Sequence, residues 1–217
     1  MTTRTIYIVI LIALVMGVVV LAQGATLRLT GVDTGYEPAQ PIAYSHRLHA
    51  GELPIPCQYC HYGAERSRHA GIPPTSVCMN CHRFVTALQD QVKAEQALAQ
   101  REGRQPVQVT SAEIQKIYDS LGLDANGQPD PNKRQHAIRW KQVHHVPDFV
   151  YFDHRRHVAA NVQCQTCHGQ IQTMERVSQF ADLTMGWCLN CHRTNNVKAS
   201  RGGNARPAST DCAACHY

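Results

Sequence analysis

Residues 44–61 read YSHRLHAGELPIPCQYCH, and residues 152–168 read FDHRRHVAANVQCQTCH. Each stretch opens on an aromatic residue, places two histidines three residues apart, and closes on C-x-x-C-H. The closing motif occurs five times. Its copies are Cys57, Cys60 and His61; Cys78, Cys81 and His82; Cys164, Cys167 and His168; Cys188, Cys191 and His192; and Cys212, Cys215 and His216. These five copies use every one of the ten cysteines. C-x-x-C-H is the attachment signature of c-type haem: two thiols add across the vinyl groups and the adjacent histidine becomes an axial iron ligand.

The histidine separates this reading from its competitors. A bare C-x-x-C pair also suits a thioredoxin-like redox site or half of a zinc site. The chain has 13 histidines in 217 residues. At about 6% per position, five chance matches after five pairs have odds of about one in a million. Zinc would need two further ligands per metal at regular spacing, which the sequence does not offer. A disulfide framework gives the histidines no purpose. The expected cofactors are therefore five covalently bound haem c groups.

Eight histidines lie outside the motifs, namely His46, His49, His69, His136, His144, His145, His154 and His157. They suffice to fill the distal position of all five irons. A haem with both axial positions filled carries electrons, whereas a catalytic haem keeps one open. Histidines at i and i+3 share one face of a helical turn, so His46 with His49, and His154 with His157, are placed to reach two irons each. The fifth distal ligand stays open between His69, His144 and the thioether of Met185. His136, among Lys133, Arg134 and Gln135, reads as solvated.

The two opening stretches belong to a longer duplication. The offset is 108 from His46 to His154, 107 from Cys57 to Cys164 and 110 from Cys78 to Cys188. Such small drift indicates one two-haem unit copied once, with the fifth motif added at the C-terminus. Aromatic residues are 6% of the chain, so the macrocycles are expected to replace much of the missing core.

Haem c is attached outside the cytoplasm, so the chain must be exported. Arg4 precedes an apolar run from Ile6 to Ala22. Seventeen residues are at the short end of a spanning helix and longer than most signal-peptide cores. A single-pass anchor in the cytoplasmic membrane is expected, its N-terminal end cytoplasmic by the positive-inside rule and the haem domain periplasmic. A cleaved signal peptide, with a small-residue site at Ala22-Gln23-Gly24, is the alternative. The formal net charge is +5, but each haem brings a net negative charge of about one or two through its propionates, so the basicity does not point to nucleic acid. Arg66, Arg68, Arg155, Arg156 and Arg193 lie near motifs as candidate propionate partners.

Residues 84–140 contain no cysteine. Val85–Arg101 has helical apolar spacing through Val85, Leu88, Val92 and Ala99. Thr110-Ser-Ala-Glu113 reads as a capping box opening a helix to about Leu121. The segment is either a spacer or a docking surface for a partner. Lys198–Ser209 reads as a loop. The expected organisation is a transmembrane anchor at 1–24, a linker at 25–43, a two-haem module at 44–86, a helical insert at 87–140 and a three-haem module at 141–217. The fold class is mainly α and coil, packed around five haems, with little sheet.

The aromatic-x-His-x-x-His openings resemble the class III cytochromes. That resemblance implies that the first histidine serves the nearest haem and the second the next. His46 would then serve the haem on Cys57 and Cys60, and His49 the one on Cys78 and Cys81. Likewise His154 would serve the haem on Cys164 and Cys167, and His157 the one on Cys188 and Cys191. The whole order includes AERSRHAGIPPTSVCMNCH at 64–82 and VHHVPDFVYFDHRRHV at 143–158. It resembles the pentahaem cytochrome c subunit of bacterial alternative complex III, a quinol:electron-acceptor oxidoreductase; His145 departs from that pattern and makes His144 the better ligand of the pair. The resemblance implies a relay that is not catalytic alone. Its partners would be membrane lipid, a polytopic quinol-binding subunit, an iron–sulfur subunit and a monohaem cytochrome. A free-standing membrane-anchored quinol dehydrogenase and a multihaem oxyanion reductase remain the alternatives.

Overall fold

A chain that spends its longest apolar run on residues 6–22 has little left for a core, and short helices around large cofactors are the natural outcome. The computed structural model describes residues 3–24, 33–201 and 207–216. Its helices are α1 (Thr3–Gly24), α2 (Cys57–Cys60), α3 (Gly63–Arg66), α4 (Thr75–His82), α5 (Gln89–Glu102), α6 (Ala112–Ser120), α7 (His154–Ala159), α8 (Gln165–His168) and α9 (Met185–Ser200). A π-helical turn spans Arg47–Glu52, and 3-10 turns span Ile171–Thr173 and Cys212–Ala214. Among the described residues there is no strand, only isolated bridges between Leu123 and Pro129 and between Val150 and His216. The expected class of helix and coil is what is found.

Helix α1 is 22 residues long, about 33 Å at 1.5 Å per residue, close to the thickness of a bilayer's hydrocarbon core. Its apolar side chains from Ile6 to Leu21 are exposed. It is long and apolar enough to cross a membrane, a property it shares with N-terminal signal sequences. Of the linker, residues 25–32 lie outside the described part.

The chain divides into two compact units. The larger comprises residues 36–143 and 152–178 and holds the first three C-x-x-C-H motifs. The smaller comprises residues 1–35, 144–151 and 179–217 and holds the fourth and fifth. This grouping cuts through the second copy of the duplication, whose two motifs fall in different units: Cys167 belongs to the larger and Cys191 to the smaller. Within the smaller unit, α9 runs to Ser200, so Lys198–Ser200, expected in a loop, are helical; residues 202–206 of that expected loop lie outside the described part.

The insert is built onto the second motif. Helix α5 begins at Gln89 rather than Val85 because residues 83–88 serve His82 and Cys81 instead. The Val85 carbonyl accepts from His82 Nδ1 at 2.8 Å, and the Val85 amide donates to Cys81 O at 3.0 Å. The Leu88 amide is capped by Gln91 Oε1 at 3.2 Å. Helix α6 is capped by Ser111, one residue later than expected: its Oγ accepts from Ile114 N at 3.3 Å, while the Thr110 hydroxyl donates to Ala125 O at 2.8 Å. Glu113, expected to close the capping box, accepts instead from Ala43 N at 2.7 Å.

Helix α6 buries Ile117 and Tyr118 against Ile42 and Met79, with Ile114, Leu121, Leu123, Ile138 and Trp140 around them. Tyr118 has no exposed surface, and its hydroxyl donates to His82 O at 2.7 Å. The insert therefore clamps the end of the motif-bearing helix α4. Tyr118→Phe is expected to cost about 1 kcal/mol, the net worth of one hydrogen bond. Tyr118→Ala is expected to cost about 3–5 kcal/mol, because it also opens a cavity. Denaturant unfolding of the two holo variants measures the difference; a Tyr118→Phe variant as stable as the wild type would show that the hydroxyl contributes nothing.

Candidate haem-binding site

Helical turns are what C-x-x-C-H requires. Residues i, i+3 and i+4 of a helix share a face, so both thiols and the imidazole point to one side. In the first motif Cys57 and Cys60 are the two ends of α2, with His61 at its C-cap; in the second, Cys78, Cys81 and His82 close α4. In the third, Cys164 is the N-cap of α8, and Cys167 and His168 are its last two residues. The fourth lies wholly in α9, where Cys188, Cys191 and His192 occupy the first half of the helix. The fifth starts in the 3-10 turn at Cys212–Ala214 and continues to Cys215 and His216.

All ten thiols are free of disulfides. Within the second copy, Cys164 and Cys191 are exposed, while Cys167 and Cys188 are half-buried, so each of its motifs offers one outer and one inner thiol for a vinyl group. Among the described residues, no three His, Cys, Asp or Glu side chains converge as a tetrahedral metal site demands. The cysteines therefore fit thioether attachment, which needs only two thiols at helical spacing and no closed ligand cage.

The histidines of the larger unit face one another in pairs. His46 and His61 are parallel, their ring centroids 6.4 Å apart at 6°. His154 and His168 repeat this at 6.5 Å and 15°. His49 and His82 lie at 6.0 Å and 59°. Two metal–nitrogen bonds of about 2 Å plus two ring radii put axial imidazole centroids roughly 6.3 Å apart. All three separations fit an iron held between two imidazoles; rotation about the shared axis leaves the tilt of the third pair free. Haem held there supplies one-electron chemistry, with iron cycling between ferric and ferrous states.

An aromatic residue orients both histidine rings of the turn in each copy. Tyr44 meets His46 edge-on (4.9 Å, 82°) and stacks on His49 (4.4 Å, 22°). Phe152 meets His154 edge-on (4.8 Å, 89°) and stacks on His157 (4.6 Å, 27°). The duplication seen in the sequence is thus a duplication of geometry.

Backbone carbonyls fix the tautomers. His49 Nδ1 lies 2.8 Å from Ser45 O and His157 Nδ1 lies 3.0 Å from Asp153 O, the carbonyl four residues back in each case. His154 Nδ1 lies 2.8 Å from Arg68 O. Proximal rings follow suit: His61 to Gly71 O (2.6 Å), His82 to Val85 O (2.8 Å) and His192 to Ser209 O (2.6 Å). A ring whose Nδ1–H is donated to a carbonyl presents Nε2 as the lone-pair donor, the state a metal needs. His46 differs: its Nδ1 is buried without a hydrogen-bond partner among the described residues. Burial, with smaller contributions from His61 and His49, lowers its pKa to about 4, so this ring too is neutral and ready to ligate.

In the smaller unit, residues 144–151 pair with the fifth motif. Tyr151 N donates to Cys215 O at 2.7 Å, and Phe149 stacks on His216 at 5.8 Å and 26°. Asn196 of α9 exchanges hydrogen bonds with Ala208 (2.8 and 2.6 Å). Cys188 of the fourth motif lies near Cys215 of the fifth and near its own partner Cys191. Burial first, then Cys215, and more weakly Asp182 and Cys191, raise the Cys188 thiol pKa. His144, one of the three candidates for the fifth distal ligand, shares this unit and is half-buried. His69 is exposed and belongs to the larger unit. Met185 is exposed at the start of α9. His145 donates its backbone N–H to the buried Gln179 at 3.4 Å.

One candidate propionate partner is otherwise engaged: the Arg155 guanidinium bonds both carboxylate oxygens of the buried Asp153, the closest at 2.6 Å. Tyr118 is the site residue that sequence reasoning missed; an ordinary amphipathic pattern in the insert gives no signal that one tyrosine reaches a motif carbonyl.

Comparison with known proteins agrees with this chemistry. Residues 150–217, which hold the third, fourth and fifth motifs, match the family model of cytochrome c7 and related cytochrome c. That part of the chain is similar to a multihaem, cytochrome c7-like domain. A curated relative, the menaquinone reductase, multiheme cytochrome c subunit, of Nitratidesulfovibrio vulgaris, is 22% identical over 198 residues, an alignment that covers 82% of this chain and 76% of the relative.

Proposed function

We propose that this chain is the electron-relay subunit of a membrane-bound, quinone-reactive oxidoreductase, carrying five haem c groups on the periplasmic side of the cytoplasmic membrane. The observation that carries the reading is the set of three facing imidazole pairs. They offer iron two closed axial positions, which suits electron transfer and leaves no place for a substrate. The haems are held by Cys57 with Cys60, Cys78 with Cys81, Cys164 with Cys167, Cys188 with Cys191, and Cys212 with Cys215. His61, His82, His168, His192 and His216 are proximal. His46, His49 and His154 are the distal ligands of the first, second and third motifs, and His157 and His144 are the remaining distal ligands. His144 is preferred to His69 and Met185 because it is half-buried in the unit that contains Cys212–His216, whereas the other two are exposed. Helix α1 is the anchor.

The likeness to the pentahaem subunit of alternative complex III supports electrons flowing from a quinol-oxidising, iron–sulfur-containing partner towards a cytochrome c or another periplasmic acceptor. The name of the Nitratidesulfovibrio vulgaris relative, a menaquinone reductase subunit, supports a second reading, in which electrons flow towards menaquinone. Purification of the complex in mild detergent, followed by anaerobic addition of menaquinol, tests both. Haem reduction that needs the accompanying subunits supports the relay. Menaquinol oxidation by the isolated chain, or a resting high-spin haem signal, would overturn it in favour of a free-standing dehydrogenase or an oxyanion reductase. Haems that stay oxidised with menaquinol but pass electrons to menaquinone from a periplasmic donor would establish the reverse direction.

A further inference from the structure

Each copy of the duplication has its own histidine turn followed by its own first motif, and a chain that folded locally would pack one against the other. The structure does so through the facing rings of His46 with His61 and His154 with His168, but it exchanges the backbone contacts of the two turns. The first copy's turn packs on the segment that follows the third motif: Arg47 N donates to Met174 O at 2.9 Å, and the Arg47 guanidinium pairs with Glu175. Gly51 lies so close to the Gln172 carbonyl that a β-carbon there has no room. In return, the second copy's turn packs on the segment that follows the first motif. His154 places both its amide (3.2 Å) and its Nδ1 (2.8 Å) on Arg68 O, just past α3. The offset of 107 between Cys57 and Cys164 aligns residues 67–68 with residues 174–175, so the same two segments swap roles, as surfaces do about a local two-fold axis.

The attachment points follow this exchange. Cys57 and Cys164, equivalent residues of the two copies, are neighbours within the larger unit. Cys60 has Cys81 of the second motif for a neighbour, with Cys78 close by as well. His46 and His49, three residues apart on one turn, face His61 and His82 respectively. The first motif therefore sits between the second and the third.

We propose that the haems of the larger unit are ordered second–first–third rather than in chain order, and that electrons cross from one copy of the duplication to the other between the first and third haems. The turn that carries His46 and His49 would serve the first and second haems, and the contacts of Arg47 with Met174 and of His154 with Arg68 would hold the first and third haems side by side. The inference rests on the reading above that each motif holds a haem.

The experiment uses the intact complex in detergent. Intact-mass measurement of the chain first counts tetrapyrroles; a count that leaves Cys57 and Cys60, or Cys164 and Cys167, without haem overturns the haem reading and this order with it. With five haems present, His154→Met marks the third haem by raising its potential, so that it is the first to become ferrous and diamagnetic. Electron paramagnetic resonance at that poise is expected to show the first haem's signal, identified as the one displaced in His46→Met, losing its magnetic broadening. The second haem's signal, identified through His49→Met, is expected to stay as it was. A change in the second haem's signal alone, or in neither, overturns the order. Should those variants fail to assemble, a cryo-electron-microscopy map of the unaltered complex decides. The first-to-third and first-to-second iron spacings should both be shorter than the second-to-third spacing; a second-to-third spacing shorter than first-to-third rejects the proposal.

Discussion

Cys57→Ala combined with Cys60→Ala is expected to prevent the larger unit from folding at 37 °C, not merely to remove one haem from five. Among the described residues only Ile42, Met79, Ala99, Ile117, Tyr118, Val143 and Ala181 are buried apolar residues. Four of them, Ile42, Met79, Ile117 and Tyr118, form the cluster around α6. The duplication junction itself is held by the Arg47–Met174 and His154–Arg68 hydrogen bonds and the exposed pair of Arg47 with Glu175, and an exposed pair adds about 1 kcal/mol at most. A macrocycle that buries several hundred Å² contributes on the order of 10 kcal/mol by area, comparable to the whole stability of a typical domain. Without it, His46 remains a buried ring with no acceptor for Nδ1, and the exchange of segments loses the group that both copies enclose. Chain yield in membranes and protection from limited proteolysis are the measurements. A variant that accumulates normally, resists protease and lacks only a fifth of the haem absorbance would show that the polypeptide holds itself together.

What could be read from the sequence was set by covalent and coordination chemistry, which demands fixed residue types at short spacing. C-x-x-C-H is such a demand, and so is a histidine pair three residues apart behind an aromatic ring. Tyr44 and Phe152 stand in the same relation to their histidines because the spacing leaves them little choice. The boundary between the compact units was not readable, since it depends on contacts over more than 100 residues, such as Arg47 with Met174, that no local pattern records. That is why Cys167 and Cys191, neighbours in one expected module, fall in different units. Thr110 and Ser111 were interchangeable as caps by residue type, and only the carbonyl of Ala125, from a distant turn, takes the Thr110 hydroxyl away. Tyr118 was invisible for a related reason: its partner is a backbone carbonyl of the second motif, and backbone carbonyls leave no trace in a sequence.

His154→Ala is expected to turn one haem in five from low spin to high spin, while His69→Ala leaves the spectrum as it was. His154 stands across from His168 at the separation that two axial imidazoles need. Its Nδ1 is anchored by Arg68 O, and Phe152 holds its ring edge-on. Deletion would leave iron there five-coordinate or bound to water, with a weaker field in either case. His69 is exposed and its backbone, not its ring, is what the fold uses, since a β-carbon on Gly63 would collide with the carbonyls of His69 and Ala70. The hydrogen bond from His154 Nδ1 also makes that imidazole the more electron-rich ligand, which stabilises ferric iron. The third haem should therefore titrate at a lower potential than the first, whose distal His46 lacks such a bond. Low-temperature electron paramagnetic resonance and a spectroelectrochemical titration of the wild type and both variants read these effects. A low-spin spectrum retained in His154→Ala, or a high-spin signal produced by His69→Ala, would reverse the ligand assignment.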